Sequence, residues 1–127
     1  MSNTIKITQC DNQLVLFAIP KEEGNSYQLC NIKSGNFNSV AVDLQIEAGS
    51  YSGGFDANGV GGPLNESGTV QLPAGEYTLV YAGLNWGGPY NFDFTFNDKP
   101  YILANDPQKP LYGVIWSKGD NGISFTV

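Results

Sequence analysis

An aromatic turn is the segment of this chain whose residues are best suited to contact a ligand. Trp86 follows Asn85 and precedes two glycines, a proline and Tyr90. Glycines beside an indole ring let another molecule approach closely, because they add no side chain of their own. Such a ring can stack on the C–H face of a sugar while amides and carboxylates bond the hydroxyl groups. The alternative is that Trp86 folds back and covers one end of the core.

Polar side chains that could complete such a site come from two other segments. Asn105 and Asp106 precede a proline, and Asp56 and Asn58 belong to the glycine-rich residues 48–68. Neither segment alternates like a strand, and a loop of about 20 residues in a compact domain is usually functional or disordered. The predicted ligand-binding residues are therefore Asn85, Trp86, Tyr90, Asn105, Asp106, Asp56 and Asn58.

The missing residue types argue against catalysis. The chain has no histidine, so it contains neither a Ser-His-Asp triad nor an imidazole ligand for a metal. It also has no arginine, which removes the bidentate partner for phosphate and carboxylate groups. Loop carboxylates such as Asp93 and Asp120 lie in no recognisable acid/base motif and are interpreted as solvated charges. We therefore predict that the protein is not an enzyme and has no catalytic residues.

Metal and phosphate sites have weak support. The glycines at 59, 61 and 62 are not followed by the lysine and helix start that a phosphate-binding loop needs. The turns at 56–59 and 120–122 are rich in the carboxylate and amide oxygens that calcium prefers. However, Asx-Gly is also a very common turn dipeptide. No cofactor is predicted, and calcium stays open as an alternative.

Charge and hydrophobic runs narrow the partners and the location. Six lysines face twelve acidic residues, a net charge of −6, which disfavours nucleic acid because phosphate neutralisation supplies most of that affinity. The longest apolar run, 14–19, is too short for a transmembrane segment. The first residues lack the apolar region of a Sec signal. These features predict a cytoplasmic protein as synthesised, with release by a non-Sec route as the alternative.

Two cysteines, Cys10 and Cys30, fit no metal-binding spacing. They are expected to be either two buried thiols or, after release from the cell, one disulfide.

Alternation of apolar and polar residues dominates the chain and predicts strands. Residues 40–46 and 90–96 both follow period two, and residues 14–19 form a continuous apolar strand expected to be covered on both faces. Hairpins are predicted for 69–72 with 76–84 and for 111–117 with 123–127. The expected fold is all-β: a single domain, residues 1–127, forming an antiparallel β-sandwich of jelly-roll or Greek-key type with 8–10 short strands.

In size and composition, without a shared motif, the chain resembles small bacterial and fungal β-sandwich lectins and small acidic toxins of that architecture. We predict a lectin-like, non-enzymatic module that binds a glycan or similar cell-surface ligand and forms a homo-oligomer for avidity. The alternative is a self-assembling or toxin-associated β-sandwich protein that acts on membranes or partner proteins. In one form of that alternative, residues 39–72 form a membrane-inserting hairpin.

Overall fold

The computed structural model describes residues 3–10, 12–22, 24–34, 39–59, 64–86, 91–103 and 113–127, with the backbone alone for 39, 103 and 113–122. These residues contain ten strands and no helix, which confirms the predicted all-β class. The strands are β1 (Asn3–Cys10), β2 (Gln13–Pro20), β3 (Tyr27–Lys33), β4 (Ser39–Ala48), β5 (Phe55–Asn58), β6 (Asn65–Leu72), β7 (Glu76–Asn85), β8 (Phe92–Phe96), β9 (Lys99–Leu103) and β10 (Gly113–Thr126).

Two five-stranded sheets pack as a sandwich. Sheet A has the order β6-β4-β1-β8-β9, and sheet B has the order β10-β7-β2-β3-β5. Both sheets are mixed, because β3 pairs with β5 and β4 with β6 in parallel, so the prediction of purely antiparallel sheets was wrong. The cause is that the chain coils: β3, β4, β5 and β6 lie alternately in sheet B and sheet A. After each full turn of the coil the chain returns to the same sheet in the same direction, so β3 is parallel to β5 and β4 to β6.

Side chains from the inner faces of the two sheets form the core. Val42, Leu44 and Ile46 of β4 are buried while the residues between them face outward, so the prediction of a half-exposed strand there is confirmed. Phe94 of sheet A meets Tyr81 of sheet B edge-on, with ring centroids 5.3 Å apart. Aromatic pairs of this geometry add to the stabilisation from burial.

Both predicted hairpins were wrong. β6 belongs to sheet A and β7 to sheet B, so residues 73–75 cross between the sheets. Residues 113–126 form the single strand β10, which pairs with β7 along both halves and takes up residues 118–122 as a register shift. Local turn residues suggested a reversal in each case. Pairing with a more distant strand decided the outcome instead, because it buries more of each segment.

Two strands had no counterpart in the prediction. β5 lies within the segment predicted as a loop, and its Phe55 and Ala57 turn toward the core. β9 follows a tight turn in which Asn97 and Asp98 have φ angles of 49° and 69°. Asn97 also accepts a hydrogen bond from the Thr4 backbone N–H at 2.8 Å. Asn and Asp tolerate these positive φ angles better than other residues with side chains.

The outer face of sheet B is apolar at its centre. Val15 and Phe17 of β2 are half-buried on this face, and Ile19 is 42% exposed. They pair with Ala82, Val80 and Thr78 of β7. β2 is therefore covered on its inner face only, as far as the described residues show.

Cys10 and Cys30 are both buried and form no disulfide. Burial raises the pKa of the Cys30 thiol strongly. Among the described residues, no helix is long and apolar enough to cross a membrane.

Candidate functional site

The edge of sheet B formed by β3 and β5 gathers polar side chains on its outer face. Asn31 pairs with Asp56 and Lys33 with Asn58, while Ile32 and Ala57 between them point to the core. Because successive residues of a strand point to opposite faces, the four polar side chains share one surface. They line a cavity of about 280 Å³ whose lining is Asn31, Lys33, Asp56, Ala57 and Asn58. We call these residues the β3–β5 edge site.

Backbone contacts fix β5 in this position. Gly54 comes so close to β3 that a Cβ atom on it would lie 2.8 Å from the Gln28 carbonyl oxygen. At the other end of β5, the Gly59 N–H donates to the Lys33 carbonyl at 2.7 Å. The close approach of Gly54 and the backbone hydrogen bond of Gly59 therefore hold the short strand, and with it Asp56 and Asn58, against β3.

An exposed aromatic ring stands beside the site. Tyr51 is 38% exposed, and its hydroxyl donates to the Gln28 carbonyl at 2.7 Å. Its ring also lies 4.8 Å from that of Tyr27, measured between centroids. Partial burial and then the negative charge of Asp56 raise the pKa of Tyr51. The phenol and the carboxylate are therefore close enough to interact.

Hydrogen bonds orient the polar side chains of the site. Gln13 on β2 donates from Nε2 to Asn31 Oδ1 at 2.8 Å, and Gln28 donates from Nε2 to Asp56 Oδ1 at 3.4 Å. The surface thus combines amides, an ammonium, a carboxylate and a phenol ring. Those groups can donate to and accept from several hydroxyls at once while the ring supports an apolar face.

Metal binding has no support in the described part of the chain. No three Asp, Glu or Cys side chains there come together as a set that could hold an ion. Of the two turns considered for calcium, the one at 56–59 supplies Asp56 to the edge site. The side chains of the other, at 120–122, lie outside the described residues.

The structure brings some of the predicted site residues together and separates others. Asp56 and Asn58 are both exposed on the β3–β5 edge. Asn85 is 1% exposed and points into the sandwich, whereas Trp86 is 49% exposed. β7 and β5 are separated by β2 and β3, so Asn85 and Asn58 lie three strand spacings apart, about 14 Å.

Tyr90, Asn105 and Asp106 lie outside the described residues. The strands that flank their segments do end at one end of the sandwich. Leu103 pairs with Phe92, and Gly113 pairs with Asn85. The described strand ends on either side of these segments therefore lie at the Trp86 end.

The Trp86 end is built around a buried asparagine. The backbone N–H of Trp86 donates to Asn12 Oδ1 at 2.7 Å. The Asn12 backbone N–H donates to Leu84, and its carbonyl accepts from the Ser34 N–H at 2.8 Å. These contacts tie the ends of β7, β2 and β3 together. The polar groups near the indole thus hold the backbone.

Sequence reasoning missed Gln13, Asn31, Lys33 and the role of Tyr51. Asn31 and Lys33 alternate with Ile32, which marks them as outward residues of a strand. Their neighbours Asp56 and Asn58 become apparent only once the parallel register is known.

Comparison with known proteins adds no assignment. No protein-family model matches the chain, and neither does any curated protein or solved structure. Function must therefore follow from the chemistry of the described surface.

Proposed function

We propose that this protein is a non-enzymatic binding module that recognises a carbohydrate through the β3–β5 edge site. One observation supports this above all: the partly exposed ring of Tyr51 lies next to Gln28 and Asp56, at one end of a surface of amides, a carboxylate and an ammonium. A pyranose presents an apolar C–H face and a rim of hydroxyls, which that combination matches.

The shape of the site favours weak recognition of a sugar at a chain end. The cavity is shallow, about 280 Å³, at the lower limit of ordinary ligand pockets. A single site of this size would bind weakly, so we expect the protein to present several copies by homo-oligomerisation and gain avidity.

A glycan array tests the proposal. The wild-type protein is compared with Asp56→Asn, Asn58→Ala and Tyr51→Ala. Each has a matched control that changes the same kind of exposed residue elsewhere: Asp43→Asn on β4, Asn65→Ala on β6 and Trp86→Ala. We expect one coherent family of sugars to bind the wild-type protein and all three controls. Each site variant should lose at least about tenfold in apparent affinity, because the loss of a charged hydrogen bond or a stacked ring costs about 1–3 kcal/mol.

Two outcomes contradict the proposal. One is silence on the array from protein that is folded by circular dichroism. The other is a signal that Trp86→Ala abolishes and the site variants leave unchanged, which would assign recognition to the indole. A repeat in EDTA separates direct recognition from recognition through calcium, and we expect the signal to persist.

The second candidate function, self-assembly, is favoured by the apolar centre of the outer face of sheet B. Phe17 and Val80 pair across β2 and β7 there, and the outer face of β4 in sheet A carries Asp43 and Gln45 instead. A second copy of the chain is the expected partner. Sedimentation velocity should show concentration-dependent association that Phe17→Lys abolishes and Gln45→Lys does not. A monomer at all concentrations would exclude this candidate.

The pore-forming version of that candidate would need a large rearrangement of this fold. β4 and β6 run parallel within sheet A, and Val42, Leu44, Val70 and Leu72 are buried in the core. An antiparallel membrane hairpin from residues 39–72 would require both strands to leave the sandwich.

A further inference from the structure

A second cleft lies at the end of the sandwich opposite Trp86. β2 runs from Gln13, which pairs with Leu84, to Pro20, which pairs with Tyr77, so Tyr77 and Trp86 mark opposite ends. The cleft measures about 380 Å³, within the range of ordinary small-molecule sites. The lining residues that bear on a ligand are Pro20, Glu22, Tyr27, Pro73, Glu76 and Tyr77.

Two tyrosines belong to this lining, Tyr27 half-buried and Tyr77 only 3% exposed, and both are held in place. Tyr27 and Tyr77 meet edge-on, with ring centroids 6.3 Å apart. Tyr77 donates from its hydroxyl to the Pro73 carbonyl at 2.6 Å and stacks on Phe125 at 5.6 Å between centroids. Because packing already fixes these rings, a ligand would not have to order them on binding.

Two carboxylates stand at the rim. Glu22 and Glu76 are both exposed, and the turns that carry them are joined by a hydrogen bond of 3.0 Å from the Lys21 N–H to the Glu76 carbonyl. Among the described residues that line the cleft there is no basic side chain and no side-chain amide. The chain as a whole has a net charge of −6, which further favours positively charged ligands.

This lining differs in kind from the β3–β5 edge site. The edge site offers amide and ammonium donors for hydroxyl groups, whereas the cleft offers aromatic rings, proline surfaces and negative charge. Aromatic rings attract cations through their quadrupole, and quaternary ammonium groups are recognised in this way. The accessible ring surface, mainly that of Tyr27, and the prolines suit N-methyl groups, and the carboxylates balance the charge.

We propose that the cleft bordered by Tyr27, Tyr77, Glu22 and Glu76 binds an alkylammonium group, with a quaternary ammonium as the preferred form. The same group occurs in free alkylammonium compounds and in phosphocholine lipid headgroups. The two glutamates favour the former, because a phosphate two carbons from the nitrogen would be repelled by them.

Titration of ¹⁵N-labelled protein with choline, followed by NMR, tests the assignment. The neutral isostere 3,3-dimethyl-1-butanol has the same shape without the charge, and phosphocholine adds a phosphate. We expect choline to shift the amide signals of residues 21–27 and 74–77, with the isostere about 5- to 10-fold weaker. Phosphocholine should also bind more weakly than choline. Equal binding of the isostere, or tighter binding of phosphocholine, would overturn the proposal.

Variants separate the cleft from other acidic surfaces. Glu22→Gln and Glu76→Gln together should weaken choline binding at least about tenfold, whereas Glu66→Gln on β6, also exposed, should leave it unchanged. Both rim changes are on the surface, so the spectrum of the double variant will show whether the fold is intact. Wild-type affinity in the double variant would refute the site.

The charge variants separate this result from the carbohydrate proposal, whereas Tyr51→Ala does not, because the Tyr51 ring packs on Tyr27 of the cleft at 4.8 Å between centroids. Asp56→Asn should keep choline binding, and the double glutamate variant should keep sugar binding. Failure of either proposal is therefore visible while the other stands.

Discussion

Trp86 and Tyr51 are both exposed aromatic side chains at the boundary of a strand, yet their surroundings differ. At the Trp86 end, Asn12 accepts from the Trp86 N–H and joins three strand ends, and Asn85 is buried. On the β3–β5 edge, which Tyr51 borders at Gln28 and Asp56, Asp56 and Asn58 remain on the surface. An exposed ring indicates a ligand site only where the polar groups next to it also face solvent. At the Trp86 end the described polar groups hold the backbone instead.

The largest effect on both stability and sugar binding is expected from a substitution that displaces β5. Gly54→Ala places a Cβ atom 2.8 Å from the Gln28 carbonyl oxygen, so β5 must move, and we expect a loss of about 1–3 kcal/mol in the free energy of unfolding. Sugar binding should fall with it. Gly24→Ala is the control, since its Cβ would meet only Pro20 at 3.5 Å. Urea unfolding of both variants measures the difference, and equal midpoints would contradict this account of β5.

A change at the Trp86 end should lower the stability of the fold without weakening sugar binding. Asn12→Ala removes the acceptor of the Trp86 N–H and should cost about 1–2 kcal/mol of unfolding free energy. The β3–β5 edge site does not use that side chain, so the sugar affinity measured on folded protein should change by less than about twofold. Asn65→Ala, on an exposed side chain, is the control. A variant as stable as wild type would mean that the Asn12 network does not hold this end.

The proximity of Tyr51 to Asp56 can be measured through titration. Partial burial and the Asp56 charge both raise the pKa of Tyr51, because each disfavours the phenolate. Asp56→Asn removes the charge, so the pKa of Tyr51 should fall, whereas Asp43→Asn should not change it. The linked stability is present at neutral pH and is lost as the pH rises past the usual tyrosine value of about 10. NMR of the Tyr51 ring against pH gives the value; no shift in Asp56→Asn would place the two groups too far apart to interact.

The smallest effect is expected at the indole itself. Trp86 is 49% exposed, and its described hydrogen bond uses the backbone N–H, which alanine retains. Trp86→Ala should therefore change the unfolding free energy by only about 0.5 kcal/mol and leave sugar binding intact. Tyr51→Ala in the same assay sharpens the contrast. Loss of binding in Trp86→Ala would reverse the roles of the two rings.

The sequence predicted those features of the fold that depend on neighbouring residues. Alternation identified β4 and the buried phenylalanines of β8, because period two reports directly which face of a strand is covered. The oxygen-rich composition of a glycine-rich loop, not alternation, indicated Asp56 and Asn58. It could not supply Asn31 and Lys33 as their neighbours, because parallel register links segments that are distant along the chain.

The errors have the same origin. Turn residues at 73–75 and 118–122 suggested reversals within a sheet, since Gly, Pro and Asn permit many chain directions. Which strand a segment joins depends on the whole core. Phe55 and Ala57 show this for β5: two apolar residues were too few to stand out in a glycine-rich segment, yet they suffice once the neighbouring strand supplies hydrogen bonds.

The coil formed by β3, β4, β5 and β6 has a consequence for how the chain folds. Asn31 meets Asp56, 25 residues later, and Leu44 meets Gly68, 24 residues later, and each of these closures encloses a strand of the opposite sheet. Closing a long loop costs chain entropy before the contacts between its ends can form, so such strand pairings form slowly. β5, with four residues, has little to hold it until sheet A is in place. We therefore expect the β3–β5 edge to form late in folding, so that the proposed site is present in a newly made chain only once both sheets are complete.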